Sequence, residues 1–428
     1  MWRPGNRGSL RVGHKLIRAW ETKEVTAVVN CSVNVARALC AVIFFAAAVP
    51  ARAEPTLKLG VLTDLSSFGA DVTGKASLTA VQMAIDDFGG SVLGKKIELV
   101  SGDTQNRPDI AANLAREFLD QKHVDVLLDL PQSAVSLTVQ KIAQEHHTID
   151  IVTSGVTAEL TGKSCSPYGV HWAEDTNALA AGTVGALVSS GLKKWYFVAA
   201  DFAFGHTMEG AAQAVLARKG GVSVGTVWVP TSTMDYSSFI MTAAGTNAEV
   251  VAFATVGNDF VASMKQAHEF GLAQSGKKIA GLITYLSDIH SLGLDIAQGL
   301  YVTSSFYWDQ NDAARAFAAS FEKIEGRKPN KTHASLYAAT LHYLRAVKAA
   351  NSSDADAVIG AMKSTPADYF GKSVKIREDG RAIFDLDVYQ VKSPAESKAP
   401  WDLYRKVNSE PGDELFAPIN KTACSFLH

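Results

Sequence analysis

Between Leu57 and Asp103 a short apolar run, a polar loop, a helical pattern and a second apolar run follow one another, a succession that few folds accommodate. The first run is Leu57-Lys58-Leu59-Gly60-Val61-Leu62-Thr63, and the loop after it is Asp64-Leu65-Ser66-Ser67-Phe68-Gly69. From Gly74 to Phe88 the residues Ala76, Ala80, Ala84 and Phe88 recur every four positions, with Val81 and Ile85 beside them, which predicts a helix with one face for a sheet. Gly89-Gly90 ends it, since glycine accepts the left-handed backbone that a helix C-terminus often needs. Lys96 to Val100 then returns as a strand. Two strands joined by a packed helix run parallel with a right-handed crossover. In open sheets of such units, ligands sit beyond the carboxyl ends of the strands, which here means the loop Asp64–Gly69 with Ser66 and Phe68. That loop has no lysine or arginine and neither a GxGxxG nor a GKS/T pattern, so it suits a small polar or aromatic molecule better than a nucleotide.

The alternation continues along the chain. Helices are expected at Asp109–Gln121 and Val135–His146, the latter opened by Ser133, and strands at Val124–Leu130 and Ile149–Thr153. The segment Ser154–Trp172 is irregular. From Asp175 the pattern restarts as a second sheet: helices at Ala178–Ser190, from the turn Asp201–Gly205 to Arg218, from Phe239 and at Asp259–Phe270, with strands at Lys194–Ala200, Val222–Val229, Val250–Thr255, Ile279–Thr284 and Leu300–Ser304. Two helices, Ala313–Glu325 and His333–Ala350, follow without a strand between them. Lys372–Ile376 and Ala382–Val391 read as a hairpin turning at Asp379-Gly380, and the tail beyond Pro400 has no strong periodicity. At 428 residues the chain is long enough for two domains, and two α/β halves with a late return imply a bilobed molecule with its ligand cleft between the lobes.

Composition excludes several classes. A content of 47% hydrophobic and 20% charged residues is that of an ordinary globular chain, and a net charge of −2 gives no basic surplus for nucleic acid. The first fifty residues differ: Arg3, Arg7, Arg11, Lys15, Arg18 and Arg37 precede an uncharged run Ala38–Val49, then Pro50-Ala51-Arg52-Ala53. This is the pattern of a secretory signal with cleavage after Ala53, and the apolar run is too short to span a membrane. The basic leader is long for a signal, so a start codon downstream of Met1 is expected, and Cys40 lacks the small residues of a lipoprotein acceptor. Cleavage would leave Cys165 and Cys424, which in an oxidising compartment are expected to pair as a disulfide, with two unpaired thiols as the alternative. No GxSxG, HExxH or CxxC pattern occurs, and His333 and His342 are nine apart and do not share a helix face for a metal. Neither an enzyme nor a cofactor or metal is expected.

Taken together and in order, Leu59–Asp64 with its helix, Ser154-Gly155-Val156-Thr157-Ala158-Glu159-Leu160-Thr161, Ala200-Asp201-Phe202-Ala203-Phe204-Gly205 and Gln298-Gly299-Leu300 resemble the solute-binding proteins of branched-chain amino acid type ABC transporters, the Leu/Ile/Val-binding family. The resemblance covers essentially the whole chain after the signal. It implies a type I periplasmic-binding-protein fold: two Rossmann-like α/β lobes with mainly parallel sheets, joined by three hinge crossings near Trp172–Asp175, Ser304–Tyr307 and Arg381–Phe384. Residues 54–173 and 305–382 would form lobe 1, and 174–304 and 383–428 lobe 2. By position, Ser133, Ser154, Gly155 and Thr157 match the family's carboxylate-holding hydroxyls and backbone N–H groups, and a helix start at Ser133 suits an anion. The matching loops of lobe 2 hold Phe202, Phe204, Gly257, Asn258, Tyr285 and Asp288; with Phe68 and Trp172 the rings would line the cleft. Asp288, Asp175 and Glu174 are the acids available to an α-ammonium group. The resemblance further implies a monomeric periplasmic carrier of a small amino acid or carboxylate, docking on an ABC permease in the inner membrane. An amide- or amino-acid-sensing regulator on the same fold is the alternative, against which the export signal argues.

Overall fold

A computed structural model describes residues 55–419 and 423–427. The expected signal segment, its cleavage point, Cys31 and Cys40 lie outside the described residues.

The opening unit forms as its pattern dictates. Strand β1 (Thr56–Thr63), the helix Gly74–Phe88 and β3 (Lys95–Asp103) make a parallel pair, and a two-residue β2 (Ser91–Val92) folds antiparallel onto β3. β4 (Val126–Asp129), β5 (Ile149–Val152) and β6 (Gly169–His171) extend the sheet to the order β2-β3-β1-β4-β5-β6. Strand alternation sorts the side chains. Leu57, Leu59, Val61, Val126, Leu128, Ile149 and Ile151 join one core with the long helix Lys331–Ala350, while Leu62, Leu127 and Val152 face the other core with Val135 and Val139. Gly60 admits no side chain, because a Cβ there would stand 2.7 Å from Val124 Cγ1.

A second parallel sheet, order β10-β9-β7-β8, comprises β7 (Lys194–Ala200), β8 (Val222–Val229), β9 (Val250–Ala254) and β10 (Lys278–Gly281). It is covered on both faces, by Trp195, Phe197 and Ala199 on one side and Tyr196, Val198 and Phe253 on the other, as a parallel sheet requires. The chain passes between the two sheets where expected. At Trp172–Asp175 it leaves β6 for the helix Thr176–Ser189, at Ser305–Tyr307 it follows β11 (Tyr301–Ser304), and at Phe384-Asp385 it separates β14 (Ala382–Ile383) from β15 (Leu386–Val391). The expected strand Ala382–Val391 is therefore two strands. β14 pairs with β13 (Lys372–Ile376) in the expected hairpin, whereas β15 pairs with β11.

Three passages are bound to one another by buried charge. Glu174 Oε1 accepts from Ser305 N at 2.8 Å, and Lys372 Nζ donates to Ser305 O (3.0 Å) and Asp387 Oδ2 (2.9 Å). Arg381 donates to Ala173 O and to His171 Nδ1 (2.8 Å), and lies 3.6 Å from Asp175. Burial pushes the Arg381 guanidinium down to about 10 and keeps His171 neutral, so His171 accepts from Arg381 and donates through Nε2 to Gly155 O at 2.7 Å.

Several elements carried no sequence signal. β6 and β12 (Ala367–Tyr369) are three residues long, and β16 (Tyr404–Glu410) is an exposed edge strand whose polar residues show no alternation. The helix expected over Asp109–Gln121 is α-helical at Pro108–Arg116 and widens to a π turn at Glu117–Gln121. Beyond β16 the tail returns to the first sheet: Leu415 and Phe416 join its core, Arg377 Nη1 donates to Ala417 O at 2.8 Å, and Cys424 is joined to Cys165 by a disulfide.

Candidate functional site

The carboxyl ends of both parallel sheets converge on one cavity. From the first sheet it is lined by Phe68, Gly69, Val72 and Thr73 after β1, Asn106 after β3, Pro131, Gln132 and Ser133 after β4, and Ser154 and Val156 after β5; from the second by Phe202 and Phe204 after β7, Val256 and Gly257 after β9, and Ile283 and Tyr285 after β10. About 60 Å³ is open to the centre of a water-sized sphere. One water needs on the order of 10 Å³ on that measure, so the cavity suits a small molecule and not a peptide. The walls touch at their rims, where a Cβ on Gly257, itself at φ +59°, would sit 3.1 Å from Phe68 O.

The first wall is polar and braced from behind. Asp64 accepts from Ser67 N (2.8 Å), Gly69 N (2.9 Å) and Asn106 Nδ2 (2.6 Å), fixing the loop that carries Phe68. His333 Nε2 lies 3.4 Å from Thr73 O, and Asn330 Nδ2 donates to Val72 O at 2.8 Å. From the last residue of β4 onward the backbone takes positive φ at Asp129, Leu130 and Gln132, a costly run for residues other than glycine, and delivers Ser133 to the start of the helix Ser133–Glu145. Ser133 is buried and its Oγ has no partner. Beside it, Ser154 Oγ hydrogen-bonds to Asp129 Oδ1 and reaches Asp129 O at 3.3 Å. The opposite wall is aromatic: Phe202 and Phe204 lie 5.7 Å apart between ring centres, and Tyr285 is buried with Lys331 5.2 Å from its ring centre. Among the described residues no acidic or basic side chain lines the cavity.

Of the residues singled out from sequence, Phe68, Ser133, Ser154, Phe202, Phe204, Gly257 and Tyr285 line this cavity, and the others stand elsewhere. Ser66 is exposed and donates to Asp103 Oδ2 at 2.5 Å. Gly155 packs against Ser136, where a Cβ would stand 1.9 Å from Oγ, and its carbonyl takes the His171 bond. Thr157 caps the short turn Ala158–Thr161. Trp172 is buried in the first core against His342 and Tyr369. Asn258 is exposed one residue past the lining Gly257. Asp288 is buried beneath the wall, accepts from Tyr285 N at 2.9 Å and is raised to about 7 by burial. Asp175 caps the helix Thr176–Ser189 and Glu174 holds Ser305, and neither acid lines the cavity. Asn106, Gln132, Thr73 and Ile283 line the cavity without having been singled out. The strand-end rule pointed to the loop Asp64–Gly69 after β1, and no residue pattern marked Asn106 after β3. Among the described residues no cluster of three His, Cys, Asp or Glu could hold a metal ion.

A family model described as periplasmic binding protein matches residues 56–398. The chain belongs to that family, in its type I, branched-chain amino acid ABC branch. Among solved structures, a periplasmic binding protein from Burkholderia mallei is 39% identical over 87% of this chain and 99% of that one, with a TM-score of 0.85. A branched chain amino acid ABC transporter periplasmic ligand-binding protein from Burkholderia xenovorans is 34% identical over 86% and 99%, with a TM-score of 0.79. A solute binding protein from Rhodopseudomonas palustris, solved with benzoate, is 20% identical over 83% and 97% with a TM-score of 0.75, a likeness of fold. No curated protein matches this chain.

Proposed function

We propose that this periplasmic binding protein is the exported, non-enzymatic solute-binding component of an ABC importer, which closes on a small carboxylate and hands it to a permease in the inner membrane. The observation that carries this reading is the unpartnered, buried hydroxyl of Ser133, a cavity-lining residue at a helix start, together with a lining that has no charged side chain among the described residues and an aromatic opposite wall. The free N–H groups and partial positive charge of a helix start stabilise an anion. The absence of a lining acid supports an apolar or aromatic carboxylate over an α-amino acid, whose ammonium group would stay unpaired. Ser133 and Ser154 are the proposed head-group contacts and Phe68, Phe202, Phe204 and Tyr285 the contacts to the body; Gly155, Thr157, Asn258 and Asp288 support the site without touching the ligand. Lobe 1 is taken as 54–173 and 305–382 and lobe 2 as 174–304 and 383–428, the last residues reaching back to lobe 1.

A thermal-shift series against benzoate, phenylacetate, isovalerate, leucine and phenylalanine tests the reading, since a ligand that binds only the native state raises its stability by RT ln(1 + [L]/Kd). Shifts with the acids and none with the amino acids are expected. Shifts confined to the amino acids, or turnover of a bound acid, would defeat it.

A further inference from the structure

Directly behind Ser154 lies a carboxyl group that the proposed function does not use. Asp129 ends β4 and is completely buried. Its Oδ1 takes the Ser154 hydroxyl and lies 3.3 Å from Thr153 Oγ1. Its Oδ2 has no partner, nor do the buried hydroxyls Thr63 Oγ1 and Ser77 Oγ, which stand near enough to act on its charge. The side chains that act on Asp129 are neutral hydroxyls: Thr63 from β1, Ser77 from the helix Gly74–Phe88, and Thr153 and Ser154 after β5. The helix Lys331–Ala350 also packs on β4, but its Lys331 stands 3.8 Å from Glu174 and burial keeps its His333 neutral beside Thr73 O. Across the cavity the Tyr285 phenol, itself neutral, feels the Asp129 charge. Among the described residues no lysine, arginine or histidine is bonded to Asp129, and burial raises its pKa.

A serine has one proton to give. While Asp129 is ionised, that proton is held by its carboxylate and Ser154 can offer the cavity only lone pairs. A carboxylate ligand seated beside Ser154 would meet these lone pairs and a second buried negative charge, and two carboxylates so placed do not both stay ionised at little cost. We propose that Asp129 is a positioning residue that couples binding of an anion to uptake of one proton. The proton comes from solvent onto Asp129, whose O–H then donates to Ser154 Oγ, or to the waiting Thr63 and Ser77 oxygens, while Ser154 turns its own O–H toward the ligand. The inference rests on the carboxylate reading of the cavity, and it makes that reading specific: the site takes an anion more tightly as the pH falls.

The experiment is calorimetry of benzoate binding to the wild-type and Asp129→Asn proteins between about pH 6 and 9, a range in which benzoate stays ionised, in buffers of different ionisation heat. Asparagine tolerates the left-handed backbone at this position and presents an N–H₂ in place of the carboxyl O–H. Wild-type affinity is expected to fall by up to about tenfold per pH unit above the Asp129 titration, with a buffer-dependent heat reporting close to one proton taken up. Asp129→Asn is expected to bind with a pH-independent affinity and no proton uptake, and Ser154→Ala to bind more weakly at every pH while keeping the part of the pH dependence that comes from repulsion between the two carboxylates. Benzoate binding by the wild type without proton uptake would overturn the coupling while leaving the carboxylate reading intact. Absence of benzoate binding would count against that reading; Asp129 is then decided by carbon-13 carboxyl NMR of the free protein. A signal missing from Asp129→Asn that titrates above the ordinary aspartate range supports the raised carboxyl, and one that titrates within it overturns the proposal.

Discussion

The two walls of the cavity are built on the same kind of scaffold, the carboxyl ends of a parallel sheet, yet they are held in opposite ways. The first is fixed by hydrogen bonds from behind: Asp64 to Ser67, Gly69 and Asn106, His333 to Thr73, Arg381 through His171 to Gly155. The second is fixed by packing, with Phe204, Ile283 and Tyr285 part of the core that also holds Trp195 and Phe197. A polar wall must have its groups aimed before a ligand arrives, because a misdirected buried donor costs more than it returns. An apolar wall needs only shape, and it contributes when closure removes its rings from water. The difference makes the first wall sensitive to charge and the second to volume.

The largest test of that contrast is Arg381→Met. It strips Asp175 and His171 of their buried partner at the crossings behind the first wall, and a stability loss of about 3–5 kcal/mol is expected in urea denaturation. A loss below about 1 kcal/mol would mean that hydrogen bonds do not hold this side. Acid should reveal the same asymmetry. Burial lowers His333 to about 3 from an unfolded value near 6.5, so the unfolded chain binds the extra proton first; stability is complete above about pH 6.5 and declines as pH falls toward 3. Between pH 7 and 5 this amounts to about 2 kcal/mol, and His333→Gln should flatten that part of the profile; an unchanged slope would remove His333 from the account.

Ser133→Ala isolates the polar wall's contact with ligand. Its hydroxyl has no partner in the protein, so binding of benzoate should weaken by about 1.5 kcal/mol with no loss of unfolding stability. A drop in stability of similar size would show the hydroxyl to be structural. Phe202→Ala, on the apolar wall, should weaken binding by about 1 kcal/mol for aromatic and aliphatic acids alike. A loss confined to aromatic acids would instead reveal a specific ring-to-ring contact.

The sequence by itself determined the elements and their order, because long buried strands and amphipathic helices write their periods into the chain: β1, β7 and β9 and the helices Gly74–Phe88 and Ala203–Arg218 stand within a residue or two of where the pattern puts them. The strand-end rule also pointed to the loop of Phe68, and the family resemblance to Ser133, Ser154, Phe202, Phe204 and Tyr285, all of which line the cavity. It could not tell Trp172 in the core from Phe202 in the cavity, since both are aromatics at the end of a strand. The three-residue β6 and the solvated β16 left no period to detect; the expected pairing of Cys165 with Cys424, 259 residues apart, is present in the fold. The tertiary structure alone decided which hydroxyl is spoken for and which is free. Ser133 and Ser154 are the same residue type in like loops, but only the fold brings the Asp129 carboxyl against one of them, and a hydrogen bond depends on distances that no local pattern encodes.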